Sequence, residues 1–167
     1  MPKYITFIFN FFNIIISYNG VAILSKKKLD KIEKDIFKDK NKQSRIITAD
    51  TKYKSKVIKL INIYTPNGNP VDTEKYDYKL YWLDSLIKKL KSLLKTNENI
   101  IIAGDFNIIP SAEDVHDPKG YENDALYRIV IRKKLIELFN VGFHDACRYI
   151  YPDKEEDTFW DYTSGAW

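Results

Sequence analysis

Ile100-Ile101-Ile102-Ala103-Gly104-Asp105-Phe106-Asn107 is an apolar run that ends abruptly in a glycine and a carboxylate. Residues 99–103 are almost without charge or polarity, the pattern of a short strand buried on both faces of a sheet. Open α/β sheets build their sites beyond the C-terminal ends of such strands, which is where Asp105 falls. Side-chain direction in extended chain repeats every two residues, so Asn107 is expected to point the same way as Asp105. A carboxylate and an amide converging on one point suit a divalent cation or a water polarised against a phosphate, because hard cations prefer oxygen ligands. Asp and Asn also cap turns routinely, and these eight residues alone leave both readings open.

Working outward, residues 45–50 and 57–64 are β-branched runs bounded by polar residues and are predicted to pair as a hairpin across residues 51–56. Residues 66–70 are rich in Pro, Asn and Gly and form a turn. Residues 72–95 then carry Tyr76, Leu80, Leu83, Leu86 or Ile87, Leu90 and Leu94 at helical spacing. This predicts an amphipathic helix with Lys79, Lys88, Lys89 and Lys91 toward solvent. Residues 19–25 read as a short strand and residues 26–42 as charged surface. A second helix is expected over 123–139, and residues 141–148 read as a packed strand. In that strand Cys147 would serve as a small apolar residue and His144 as packing, while His116 is assigned to a loop. Strands alternating with helices imply an α/β domain with a central sheet.

At 167 residues and 44% hydrophobic, the chain suffices for one domain and is short for two. Its aromatic content of 14% argues against wholesale disorder. One cysteine excludes an intramolecular disulfide and a cysteine-rich metal site, and places the chain in the reducing cytoplasm. The net charge of +4 conceals an asymmetry, +10 over residues 1–99 and −6 over residues 100–167. The first part offers a surface for a polyanion, although lysine runs are usually just solvated loops. The Ile/Phe/Asn run over residues 5–16 is shorter than the ~20 residues a spanning helix needs, and Asn10 and Asn13 interrupt it. A buried strand or foreign coding sequence ranks there above a signal peptide, and a signal peptide above a membrane anchor, and no membrane association is expected.

Two further motifs carry chemistry. In Asn62-Ile63-Tyr64-Thr65-Pro66-Asn67-Gly68-Asn69-Pro70 a strand runs into a turn, which would present Tyr64 and Asn67 above a sheet as hydrogen-bond donors to phosphate. In Thr158-Phe159-Trp160-Asp161-Tyr162-Thr163-Ser164-Gly165-Ala166-Trp167 the aromatics could stack on bases or line a pocket for a flipped base, or simply pack.

Taken in order, these stretches resemble the exonuclease III branch of the endonuclease/exonuclease/phosphatase superfamily, which includes bacterial apurinic/apyrimidinic endonucleases. The resemblance runs from Tyr18-Asn19-Gly20-Val21-Ala22-Ile23-Leu24-Ser25 through Gln43-Ser44-Arg45-Ile46, the Tyr64 turn and Gly104-Asp105-Phe106-Asn107. It continues through Pro110-Ser111-Ala112-Glu113-Asp114-Val115-His116-Asp117-Pro118 to the Trp160–Trp167 loop. It thus covers residues 18–167 as a partial domain and leaves 1–17 as an unmatched hydrophobic segment. The resemblance implies a four-layer α/β sandwich, two packed mixed sheets with flanking helices, incomplete in this chain.

It further implies that Asp105 activates the attacking water, that Asn107 orients it, and that Tyr64 contacts the scissile phosphate. Asn67 would be a neighbouring phosphate contact, and Phe159, Trp160 and Trp167 would shape an abasic-sugar pocket. Mg2+ or Mn2+ is the implied cofactor, with Asp105 and Asn107 on its side of the site. Double-stranded DNA with abasic sites or 3′ ends is the implied partner, bound by a monomer without an obligate protein partner. The family's early asparagine and metal-binding glutamate, and its closing aspartate and Asp-His pair, have no recognisable counterpart. The expectation is therefore a chain truncated at both ends, catalytically dead or nearly so. Two alternatives remain: a superfamily member acting on lipid or inositol phosphodiesters, and a non-catalytic DNA-binding remnant.

Overall fold

The hairpin foreseen in the β-branched runs is the centre of the fold. In the computed structural model, which describes residues 12–14, 20–96, 99–152 and 158, β4 (Ile46–Tyr53) and β5 (Lys56–Tyr64) pair antiparallel. Tyr53 faces Lys56, so only Lys54 and Ser55 make the turn. Lys54 takes φ 53°, the left-handed conformation that two-residue hairpin turns demand at the first central position.

The chain divides into two compact units, Met1–Thr65 with Lys88–Phe106, and Pro66–Ile87 with Asn107–Trp167. The first unit holds the sheet β3 (Asp30–Lys34), β4, β5 and β6 (Asn99–Asp105), in that spatial order. β3 and β4 are antiparallel, whereas β5 and β6 run parallel from Ile58↔Asn99 to Tyr64↔Asp105. Parallel neighbours require a long crossover, and residues 65–98, with the helix α1 (Glu74–Leu94), provide it. A two-stranded sheet, β1 (Phe12–Ile14) and β2 (Gly20–Ala22), belongs to the same unit. β2 lies against β4 and β5, and the Asn62 amide fixes it there by donating to the Ala22 carbonyl at 2.7 Å. A mixed sheet with helices is the α/β class that the alternation implied.

Val21, Leu29, Ile46, Ile47, Ala49, Ile61 and Ile63 are the buried apolar residues of this unit's strands and loops. Among them sits an ion pair: Asp50 and Lys59 are cross-strand partners, both side chains are 9% exposed, and Lys59 Nζ lies 2.8 Å from Asp50 Oδ1. The exposed Lys31 on β3 adds a second cation 3.6 Å from Asp50.

The second unit centres on Ile109, Val115 and Leu126, with Tyr121 and Tyr127 packed against them. The backbone bond from Ile109 N to Leu126 O, 3.0 Å, ties its two loops together. α2 (Ile129–Asn140) reaches α1 through Lys134, whose ammonium is 2.6 Å from Asp84. α3 (Ala146–Ile150) follows.

β6 is not covered on both faces: Asn99, Ile101 and Ala103, alternate residues on one side of the strand, are exposed, Ile101 by 52%. The charged segment 26–42 is mostly exposed, as expected of surface, and contains the strand β3. The second helix begins at Ile129, not near 123, because the Asp124 carboxylate takes the Leu126 N–H at 2.7 Å and shapes a turn. Residues 141–148 form no strand. Asp145 accepts from the N–H groups of Cys147 and Arg148 and starts α3 instead, which leaves Cys147 exposed. His144 is exposed, its ring 6.2 Å from that of Tyr149, so it is not core packing. Lys79 is not solvated but fully buried, whereas Lys88 and Lys91 are exposed as expected.

Asp50→Ala would strip a buried ammonium of its carboxylate, a change that typically costs about 3–5 kcal/mol. Chemical denaturation is expected to show a loss of that size, and a paired Asp50→Leu, Lys59→Met variant a much smaller one.

Candidate active site

The C-terminal ends of β5 and β6 bring two of the predicted residues side by side. Tyr64 and Asp105 are in-register partners on parallel strands, and the Thr65 N–H extends the ladder by donating to the Asp105 carbonyl at 2.8 Å. Gly104 makes this approach possible. It has φ 122°, and a Cβ there would stand 2.1 Å from the Ile63 carbonyl and 2.5 Å from Asn62 Oδ1. No side chain fits, so the strand delivers Asp105 only through glycine. Asp105 is exposed and Tyr64 half-buried.

Arg45 braces Tyr64. Its guanidinium lies 4.9 Å from the centroid of the Tyr64 ring, and its Nη1 donates to the Tyr64 carbonyl at 3.0 Å. The Tyr64 N–H in turn donates to the Arg45 carbonyl at 2.8 Å, and Arg45 Nε donates to Gln43 Oε1 at 2.6 Å. A planar cation against a ring face holds both groups in place while leaving the phenol oxygen to other partners. Sequence reading quoted Gln43-Ser44-Arg45-Ile46 but gave Arg45 no role. An arginine heading a buried β-branched run was the signal, because charges are rarely buried unless paired.

In the second unit, Asn67 and Asn107 are tied together by a residue that sequence reading placed in solvent. Lys79 is fully buried, and its ammonium donates to the carbonyls of Asn67 at 2.9 Å and Asn107 at 2.5 Å. Gly68, at φ 87°, makes room for its stem, since a Cβ there would lie 2.6 Å from Lys79 Cδ. Lys79 could have been found in the sequence, for it continues the buried stripe of Trp82, Leu83, Leu86, Ile87 and Leu90 at helical spacing. The side-chain oxygen of Asn67 accepts from the Asn69 N–H at 3.1 Å, an Asx turn that leaves the NH2 group as the donor an outside ligand could use. Asn69 is bound to Asp124 and to the Ala125 N–H, both at 2.9 Å.

Asn107 is 7% exposed and has φ 47°. β6 ends at Asp105, so the extended-chain alternation that was to aim Asn107 like Asp105 does not carry through Phe106. Phe159, Trp160 and Trp167 lie outside the described residues. Among the described residues no group of three His, Cys, Asp or Glu side chains converges as a metal cage, and none of the helices is long and apolar enough to cross a membrane.

The model of the Endonuclease/Exonuclease/phosphatase family matches residues 4–167. The chain belongs to that family. The match begins within the segment 1–17. An exodeoxyribonuclease of Bacillus subtilis (strain 168) is 27% identical over 151 residues, covering 89% of this chain and 58% of the relative. An AP endonuclease structure from Archaeoglobus fulgidus superposes with a TM-score of 0.80 at 32% identity, over 91% of this chain and 58% of that one. A Neisseria 3′ phosphatase bound to a product DNA hairpin gives a TM-score of 0.75 at 27% identity, over 87% and 55%. The chain therefore spans somewhat over half the length of these relatives.

This family member also holds a buried carboxylate outside the predicted set. Asp114 is fully buried and accepts from the Ser111 N–H at 2.9 Å, Ser111 Oγ at 2.8 Å, Arg148 at 2.7 Å and Thr158 Oγ1 at 2.6 Å. Burial pushes its carboxyl upward, but the bonds from Thr158, Arg148 and Ser111 prevail and hold it below the usual carboxylate range. Residues 111, 148 and 158 are thus fastened to one side chain.

Two outcomes follow. Gly104→Ala forces the Ile63 strand aside, and thermal unfolding is expected to show a destabilisation of about 1–3 kcal/mol. A depressed folded-state pKa gives Asp114 a stabilising share that is complete above its unfolded value of about 4 and is lost as pH falls through the folded value. The denaturation midpoint should accordingly drop below about pH 4, and Asp114→Asn should lower stability at pH 7 while flattening that drop.

Proposed function

We propose that the chain is part of a DNA-repair phosphodiesterase of the exonuclease III type, acting on double-stranded DNA at abasic sites or 3′ ends. One observation carries the reading: a tyrosine and an aspartate are paired in register at the C-terminal ends of two parallel strands, the edge where such sheets perform chemistry. The named relatives, an exodeoxyribonuclease, an AP endonuclease and a protein holding a DNA hairpin, support it.

In this reading the Asp105 carboxylate takes a proton from water as the water oxygen attacks phosphorus, and the P–O bond to the sugar breaks, the departing sugar oxygen taking up a proton from solvent. Tyr64, steadied by Arg45, hydrogen-bonds the scissile phosphate. Asn67 and Asn107 donate their amides to phosphate oxygens and to the water. Phe159, Trp160 and Trp167 are assigned to the pocket for the missing base. Mg2+ or Mn2+ is the assigned cofactor, to whose site the described residues bring one carboxylate, Asp105. The cytoplasm is the assigned compartment, supported by the lone cysteine, and a monomer is the assigned state.

With a base and amide donors but no cation cage among its described residues, the 167-residue chain is expected to bind abasic duplex DNA while incising it near background in Mg2+. Asp105→Ala should remove whatever incision occurs and leave binding in place. Hydrolysis of a phospholipid or inositol phosphodiester in preference to DNA would overturn the nuclease reading.

A further inference from the structure

Lys79 is a long side chain spent inside a helix face where Leu or Met would pack at no electrostatic cost. Burying an ammonium is unfavourable by several kcal/mol unless it is well bonded. Two of its bonds go to backbone carbonyls, those of Asn67 and Asn107, which lie forty residues apart in the chain. Both residues sit on loops rather than in strands or helices, Asn67 expected beside the phosphate and Asn107 beside the attacking water. Each loop also adopts a left-handed backbone at the point of attachment, Gly68 with φ 87° and Asn107 with φ 47°. Left-handed backbone at a non-glycine residue needs outside support to persist.

We propose that Lys79 is a positioning residue: its buried ammonium clamps the Asn67 and Asn107 backbones at a fixed separation, so that their side-chain amides are preorganised as a pair of donors for a DNA phosphate. The inference rests on the nuclease reading above. Three features favour a clamp over a direct phosphate contact. Lys79 is fully buried, its ammonium is bound by carbonyls, and Gly68 has no room for a Cβ beside its stem. Asn67, by contrast, is exposed, and its Asx turn already directs the amide oxygen inward to the Asn69 N–H. The ammonium fixes the backbone, the Asx turn fixes the amide, and the NH2 group faces a ligand without a search through rotamers. Donors held in place before binding add affinity because no ordering is left to be done.

Salt dependence separates a clamp from a contact. A lysine that touches phosphate releases about one counterion, so its loss lowers the slope of log K against log salt by roughly one. A buried clamp changes affinity and leaves the slope alone. The experiment measures binding of an abasic duplex to the 167-residue chain by fluorescence anisotropy across salt concentrations, for wild type, Lys79→Met and Lys79→Arg. Circular dichroism checks the fold of each.

Lys79→Met should weaken binding by about ten- to a hundredfold, the scale of a small misplacement of binding groups, with an unchanged salt slope. In heteronuclear NMR its Asn67 and Asn107 side-chain amide signals should stop responding to DNA. Lys79→Arg, which keeps a cationic donor, should restore most of the affinity, and it serves as the deciding variant where Lys79→Met does not fold. Unchanged affinity in Lys79→Met, a slope reduced by one, or a loss in a folded Lys79→Arg as large as in Lys79→Met would overturn the clamp and leave the nuclease reading standing. Failure of the wild type to bind abasic DNA would overturn both.

Discussion

The parallel pairing of β5 with β6 is the constraint on which the rest of the first unit depends. Parallel neighbours bond through slanted, evenly spaced ladders and give each other little slack. Near the end of this ladder the two backbones approach so closely that position 104 has space for hydrogen alone. The outcome is that a phenol and a carboxylate stand on adjacent strands at the same level. Placing reactive groups on regular structure gives them a precision that a loop would not.

The second unit reaches comparable order by different means. Its described site residues lie in loops, and single polar side chains that each gather two or more backbone or side-chain groups hold these loops in place. Lys79 gathers two carbonyls, Asn69 binds a carboxylate and an N–H, and Asp114 gathers donors from three places in the sequence. Buried polar groups of this kind are favourable only when fully satisfied, so each fixes a geometry rather than adding generic cohesion.

What was legible in the sequence was whatever repeats locally. The hairpin followed from two β-branched runs with polar residues between them, and α1 from its apolar spacing, with ends within two residues of the observed Glu74–Leu94. The pairing of Tyr64 with Asp105 was not stated, since register between distant strands is a long-range property, yet both residues were chosen correctly as the ends of strands. Lys79 escapes a reading of the sequence because apolar periodicity marks only apolar residues, and a lysine beside such a stripe ordinarily extends its ammonium to water. Residues 141–148 were misread because Asp145, a helix start signal, was weighed less than the aromatic and β-branched character around it. Arg45 carried no local signal beyond its charge at the head of a buried run. The burial of β6 was overstated, because an apolar strand shows its composition and not its number of neighbours.

The Asp50–Lys59 pair has a bearing on how the central hairpin chooses its alignment. The β-branched residues on the two strands are chemically alike, and sliding one strand past the other by two positions would keep Ile and Val facing inward. That slide would move a carboxylate and an ammonium apart inside a water-poor layer, where each separated charge is far more costly than a mismatched methyl group. The ion pair thus acts as a key for alignment, selecting one arrangement from several that hydrophobicity alone would accept.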